Sequence, residues 1–319
     1  MNGDLNLEAL NLLPEELLSR MRMRDPVSVD EHLGELIKGG RESLQVVADW
    51  DNTLSAYRHE GVRCPSSFGV IDHSRRNTEK TREHAKFLFN KYYPIEVCPV
   101  TPKQVKIPLM KEWYSHVYSL YAGSPITKDQ LSEIVLEENA FPRIGAESLL
   151  DLLDQNDVPV LIFSAGLGDV IEAIIQVRIE NMCLRRRLKN LTLISNFLEF
   201  DSRGVITGLK GGQELIHMYN KSVHSMAHED AYFNRHPHRH NILVLGDSPG
   251  DSEMAEGIPK VNGILKIGFL NANVQGRLEE FLDLFDIVLC EDDTMDVPLA
   301  ILGLILGSED RRKVDDDKL

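Results

Sequence analysis

The sequence predicts an α/β fold: a doubly wound parallel sheet with a mostly helical cap. Three observations predict it. Short apolar runs at 44–48, 158–163 and 242–245 each read as a buried strand, and each stops abruptly at polar residues. Stretches of helical composition separate the runs, the alternation of a parallel sheet covered by helices. Residues 54–145, between the first two runs, are too many for a structureless loop and imply a folded insertion.

Taken in order, residues 1–43 read as a helical lead-in that packs on the core. Leu5, Leu7, Leu10, Leu12, Leu13, Leu17 and Leu18 form an apolar stripe broken at Pro14, and 30–38 is a second helix. Within the insertion, 77–92, 103–121 and 127–139 have helical composition, giving a cap over the strand ends. A cap excludes water and supplies substrate contacts. Helices are then expected at 148–156, 169–177, 274–285 and 297–307, with another opening at 253–256. Further strands are expected at 191–195, 265–269 and 287–290, and a hairpin over 200–208 turns at Asp201–Gly204. The basic stretch 178–189, with Arg185, Arg186 and Arg187, reads as a solvated loop. The tail 308–319 is charged, poor in apolar residues and expected to be disordered. The division is therefore a lead-in at 1–43, a catalytic core at 44–60 and 146–307, a cap at 61–145, and the tail.

Composition narrows the class. The 319 residues include 42% hydrophobic ones, enough for a large core or two domains. A formal net charge of −15 disfavours a nucleic-acid surface, which needs a basic face. Four cysteines, Cys64, Cys98, Cys183 and Cys290, are widely spaced, which suits reduced thiols in the cytosol better than disulfides or a zinc site. No stretch approaches the roughly 20 apolar residues of a membrane span, and the N-terminus does not read as a signal peptide. The His-containing run 236–240, like His224 and His228, offers no convincing ligand set and reads as surface histidine.

The chemistry begins where the first strand ends, at Asp49-Trp50-Asp51-Asn52-Thr53. Two carboxylates two residues apart at the carboxyl end of a buried strand lie where α/β sheets keep their sites. Asp49 suits a nucleophile that carries a phosphoryl group as an acyl phosphate. Asp51 suits the general acid that protonates a leaving oxygen and then activates water. A polar turn with an Asx cap uses the same residues. Three later positions add to the pattern. Ser164 and the backbone N–H of Ala165, before a helix starting near Gly168, suit phosphate oxygens. Lys221 suits charge neutralisation in a transition state. Asp247, with Asp251 four residues on in the first or second shell, suits a magnesium ion; an acidic helix N-cap is the other reading. In the insertion, Glu96, Trp113, Tyr114 and Tyr118 carry groups that hydrogen-bond or stack on a base, with aromatic packing within the cap as the other reading.

Acid pair, Ser, Lys, acid pair is the motif order of the haloacid dehalogenase superfamily of phosphatases, which the chain resembles. Further segments resemble the cytosolic 5'-nucleotidase III family: Cys64-Pro65, 92–97, Glu112-Trp113-Tyr114, 163–169, 195–197, 214–217, Asn220-Lys221, 246–248 and 265–271. The match runs from about Leu44 to about Leu306. The resemblance implies a Mg²⁺-dependent hydrolase of nucleoside 5'-monophosphates, with transfer of the phosphoryl group to a nucleoside also allowed. It implies a monomeric cytosolic enzyme with no nucleic-acid polymer or membrane as partner. Mg²⁺ would be held by Asp49, the Asp51 carbonyl, Asp247 and, less directly, Asp251. Glu96 would contact the base, and Val117 stands where family members carry Ser or Ala. Tyr114 looks like the pyrimidine type and 64–67 like the 7-methylguanosine type, so the base stays open. Departures from the family are the basic 178–189 stretch and the extra residue in Gly211-Gly212-Gln213. The alternatives are a phosphatase of another small phosphomonoester and a non-catalytic binding protein on this fold.

Overall fold

The computed structural model describes residues 7–98, 100–211, 215–221, 230–258 and 260–307. The expected tail, His224, His228, Leu5, Gly212 and Gln213 lie outside them.

The lead-in is helical as expected, with one addition. A short turn at Leu10–Leu12 precedes α1 (Glu15–Arg20) and α2 (Pro26–Gly39). Between the helices lies β1 (Met21–Arg22), a two-residue edge strand too short to leave a periodic signal. The start of α2 is locally encoded: Pro26 opens the helix and the Asp25 carboxylate accepts from the N–H groups of Val27 and Ser28. Val29, Leu33 and Leu36 bury one face of it.

β2 (Leu44–Ala48) is buried along its whole length. A wide turn at Trp50–Leu54 follows, then a small hairpin of β3 (Arg58–His59) and β4 (Val62–Arg63). The insertion is helical: α3 (Ser67–His73), α4 (Glu79–Glu96), α5 (Lys103–Tyr121) and α6 (Leu131–Glu137). Helix α3 was not legible as one, and α4 runs four residues further than expected, through Pro94 to Glu96. The last part of 127–139 is broken into a short turn at Lys128–Gln130 and α6.

The remaining elements alternate as the pattern requires. They are α7 (Ala146–Gln155), β5 (Val160–Leu167), α8 (Gly168–Ile174), β6 (Leu191–Asn196), β7 (Leu198–Phe200) and β8 (Ile206–Leu209). After them come α9 (Asp230–Arg235), β9 (Asn241–Gly246), β10 (Gly263–Leu270), α10 (Val274–Leu284), β11 (Ile287–Cys290) and α11 (Asp296–Leu306). The main sheet has the order β1-β11-β10-β9-β2-β5-β6, all parallel except β1 against β11. In β2, Val46 pairs with Val160 of β5 on one side and Leu243 of β9 on the other. The three strands that carry the polar clusters therefore lie side by side.

Three expectations are corrected. Strand β5 does not end at Ser164 but runs to Leu167, with its register against β6 broken between Phe163 and Leu167. The local bulge turns the Ser164–Gly166 backbone out of regular pairing. No helix opens at 253–256: Pro249–Glu253 is a short tight turn, fixed by Ser248 and Asp251 in reciprocal side-chain-to-backbone bonds. Most of 178–189 is not loop, because α8 continues as a wider helix over Ile175–Leu184. Only the end of that stretch leaves the helix, and there Arg186 pairs with Asp151 and Asp154 of α7. The β7–β8 hairpin follows the sequence closely, its turn held by Asp201 Oδ1 accepting from Arg203 and Val205 N–H.

Candidate active site

Asp49 follows β2 directly, and its N–H donates to Leu245 O of β9 at 2.9 Å. Asp247 follows β9. The parallel register of these neighbours thus sets both carboxylates at the same edge of the sheet. Asp251 joins them through the 249–253 turn, and carboxylate oxygens of Asp49, Asp247 and Asp251 lie within 4.8 Å of one another. Gly246 permits this approach: a Cβ there would meet the Asp251 Cβ at 2.2 Å.

Lys221 enters the cluster from the segment 215–221. Its Nζ donates to Asp49 Oδ1 at 2.5 Å and to Asp251 Oδ1 at 2.8 Å, with all three side chains buried. Burial alone would lower the lysine's pKa, but the charges of Asp251 and Asp49 outweigh it and raise it. The other Asp251 oxygen accepts from the N–H groups of Asp247 and Ser248 and from Ser248 Oγ. Asp251 is thus committed to the turn and to Lys221, a positioning arrangement rather than one that leaves an oxygen open.

Asp49 and Asp247 are less compensated. Burial raises Asp49 well above the usual carboxylate range; Lys221 opposes this, while Asp251 and Asp247 add to it. Burial and then the charge of Asp251 raise Asp247 to about 7, against which Lys221 and the Asn52 amide act. Asn52 Nδ2 donates to Asp247 Oδ2 at 3.2 Å. One ammonium among this many buried carboxyls leaves negative charge that a hard divalent cation with oxygen ligands would offset. The residues present therefore fit a metal site.

Asp51 points to the other side of the turn. Its Oδ1 accepts from Ser67 N–H at 2.7 Å and its Oδ2 from Ser67 Oγ at 2.6 Å. Burial raises its pKa, and the two Ser67 bonds partly offset that. Ser67 Oγ also accepts from Leu167 N–H, tying α3 to the bulged end of β5. Ser164 Oγ accepts from Gly166 N–H, which leaves its own proton to donate elsewhere. The Ala165 carbonyl is taken by Asn196 Nδ2. At Gly166 a Cβ would meet Ser67 Oγ at 2.2 Å, Asp51 Oδ2 at 2.7 Å and Ser164 Oγ at 3.1 Å. Asp51, Ser67 and Ser164 thus crowd one glycine.

Under the turn lies Arg143, fully buried. Its guanidinium donates to the carbonyls of Thr53, Asn52 and Asp292 and to Asn271 Oδ1, and stacks 4.2 Å from the Phe269 centroid. Asn271 Nδ2 also donates to Asn52 O. Asn52 has φ of +62°, a left-handed conformation that this double grip sustains. Sequence reading took Ser67 only as part of the 64–67 segment and did not single out Arg143. A buried Arg within Pro142-Arg143-Ile144-Gly145 gives no motif, and Ser67 acts on a carboxylate 16 residues away.

A cavity of about 980 Å³ opens from Asn52 into the helical insertion. Glu96, Trp113, Tyr114 and Val117 all line it, as do Phe68 and Asp72, which the sequence did not single out. Phe68 meets Tyr114 edge-on at 5.3 Å. Trp113 stacks on Tyr92 at 5.8 Å. Tyr118 is buried beside the cavity rather than lining it, and Glu112 is turned to Tyr92 Oη and Lys91. Burial raises Glu96 to about 7 despite Lys106 and Lys221. Asp72 is likewise raised to about 7 by burial, and Tyr121 Oη donates to it at 2.8 Å. The histidines of 236–240 are away from this site; His236 packs edge-on against Tyr232 at 5.0 Å.

Comparison with known proteins places the arrangement. A family model described as pyrimidine 5'-nucleotidase (UMPH-1) matches residues 52–306. The 7-methylguanosine phosphate-specific 5'-nucleotidase A of Xenopus laevis is 41% identical over 286 residues, covering 89% of this chain and 95% of that protein. The human 7-methylguanosine phosphate-specific 5'-nucleotidase is 40% identical over 302 residues, covering 92% and 96%. Among solved structures, cytosolic 5'-nucleotidase IIIB bound to cytidine superposes with a TM-score of 0.83 at 32% identity, covering 95% of this chain and 98% of that one.

Proposed function

The chain belongs to the pyrimidine 5'-nucleotidase (UMPH-1) family and is a 5'-nucleotidase, and from that premise we propose that it is a Mg²⁺-dependent enzyme releasing phosphate from 7-methyl-GMP and pyrimidine nucleoside monophosphates through an aspartyl phosphate. The observation that carries the reading is the continuity of two features. Asn52 lines the cavity together with Glu96, Trp113, Tyr114 and Val117, and its side-chain amide donates to Asp247 of the Asp49–Asp247–Asp251–Lys221 cluster.

In this reading residues 44–60 and 146–307 are the catalytic core and 61–145 the cap. Asp49 attacks phosphorus, forming the Asp49–phosphorus bond as the bond to the nucleoside 5'-oxygen breaks. Asp51, whose pKa burial raises, gives a proton to that oxygen. It then takes a proton from the water that attacks phosphorus, breaking the Asp49–phosphorus bond and releasing phosphate. Ser164 Oγ, the Ala165 N–H and Lys221 bind the non-bridging oxygens. Mg²⁺ would be held by Asp49, the Asp51 carbonyl and Asp247, with Asp251 one step removed, and when bound supplies neutralisation of phosphate charge. A nucleoside in place of water would accept the phosphoryl group.

Glu96 and the aromatic walls select the base. A cationic 7-methylguanine gains from both a carboxylate and aromatic faces. The specificity named for the two relatives supports this choice, while Tyr114 of the pyrimidine type keeps pyrimidines as competing substrates. The enzyme is proposed to act as a cytosolic monomer; no helix among the described residues is long and apolar enough to cross a membrane.

The test is phosphate release, with and without Mg²⁺, from CMP, UMP, 7-methyl-GMP, AMP and an aryl phosphate. Mg²⁺-dependent turnover led by 7-methyl-GMP, CMP or UMP is expected. Turnover of the aryl phosphate alone would discard the nucleotide reading of the cap.

A further inference from the structure

The last carbonyls of an α-helix have no partner inside it and must find one elsewhere. Glu96 is the last residue of α4, and its carbonyl has two donors. Lys106 Nζ reaches it from α5 at 2.9 Å. Tyr219 Oη reaches it at 2.9 Å from the segment that carries Lys221. The Lys106 ammonium also lies 5.6 Å from the Tyr219 ring centroid, within range of a cation–π contact.

The Tyr219 segment is itself closed. His217 N–H donates to Asn220 Oδ1, Asn220 N–H to His217 O, and Asn220 Nδ2 to Leu215 O. Tyr219 N–H donates to His217 Nδ1 at 3.2 Å. That bond needs a neutral ring. Burial, with Lys111 and Lys103 nearby, lowers His217 to about 4, so the acceptor persists at working pH. Tyr219 therefore projects from a small fixed turn, two residues before the lysine that binds Asp49. One exposed ion pair accompanies it across the same seam, Lys103 with Glu253 at 3.0 Å.

We propose that Tyr219 is a positioning residue for base recognition: its hydroxyl latches the end of α4 to the Lys221 turn and thereby fixes where the Glu96 carboxyl stands in the cavity. The proposal rests on the nucleotidase reading above. Its consequence is selective. A nucleotide that uses Glu96 feels the latch, whereas a phosphate ester without a base uses only the core.

Tyr219→Phe removes the hydroxyl and keeps the ring. The expected result is a KM for the preferred nucleotide raised about five-fold, the size of one neutral hydrogen bond, with its kcat and the turnover of an aryl phosphate within two-fold of wild type. Because the latch acts through Glu96, the Tyr219→Phe/Glu96→Gln double variant should be no worse on nucleotides than Glu96→Gln alone. Equal losses on nucleotide and aryl phosphate would overturn the proposal, since they would place the effect on Lys221. No change on either substrate, or additive losses in the double variant, would overturn it as well. A wild-type enzyme that favours the aryl phosphate over every nucleotide defeats the underlying reading instead, and shows itself before any variant is made.

Discussion

Lys221 illustrates how single residues carry this site. A buried lysine flanked by two carboxylates keeps its proton, and removing it would leave Asp49 and Asp251 as uncompensated buried charges. Asp72 shows the opposite case. Among the described residues its side-chain donor is the neutral Tyr121 hydroxyl, and burial raises its pKa from 3.8 to about 7. The native state therefore holds a proton that the unfolded chain gives up at lower pH. Its stabilising contribution is present below pH 4, fades as pH rises through that window, and is gone above pH 7. Asp72→Asn removes this dependence. The melting temperature of the variant should match wild type near pH 4 and exceed it by about 2–4 °C near pH 8; an unchanged difference across that range would show that Asp72 ionises freely.

At the scale of elements, the site is assembled from strand ends and one bulge. Strands β2, β5 and β9 were legible because short β-branched runs stopped at Asp49, near Ser164 and at Asp247. Their adjacency in a parallel sheet then brings together residues nearly 200 positions apart in the chain. The bulge in β5 was not legible, because it depends on Ser67 and Asp51 crowding Gly166. Gly166→Ala should therefore displace the Asp51 carboxyl and lower kcat/KM by about 100-fold, with the far-ultraviolet circular dichroism unchanged. Retained activity would mean that the close approach at Gly166 has no part in holding Asp51. Other misses share a cause. β1 is two residues long, the turn at 249–253 is fixed by Ser248 and Asp251 rather than by propensity, and the helix over 175–184 carries a polar face that resembled a loop.

Over the whole molecule, two lobes meet at one cavity. The sheet side carries the Asp49, Asp247, Asp251 and Lys221 cluster, joined to the cavity through Asn52, while Phe68, Trp113, Tyr114, Val117 and Glu96 of the helical insertion line it. The motif order made the first group legible, since each of its members follows a strand or sits in a short turn. The second group was legible only in part. Glu96, Trp113 and Tyr114 stood out through resemblance, whereas Phe68 and Asp72 sit on α3, which was not legible as a helix. Tyr219 was invisible for a different reason: its partner is a backbone carbonyl 123 residues away, and carbonyls leave no trace in a sequence. In the proposed reaction the two lobes act together only if phosphate passes through Asp49.

That claim is tested most directly by acid-quenching the enzyme during turnover of nucleotide labelled in its phosphate and locating the label by peptide mapping. Mg²⁺-dependent label is expected on the peptide containing Asp49, and none in Asp49→Asn. Steady turnover by the wild-type enzyme with no labelled peptide, or label on a peptide that lacks Asp49, would contradict it.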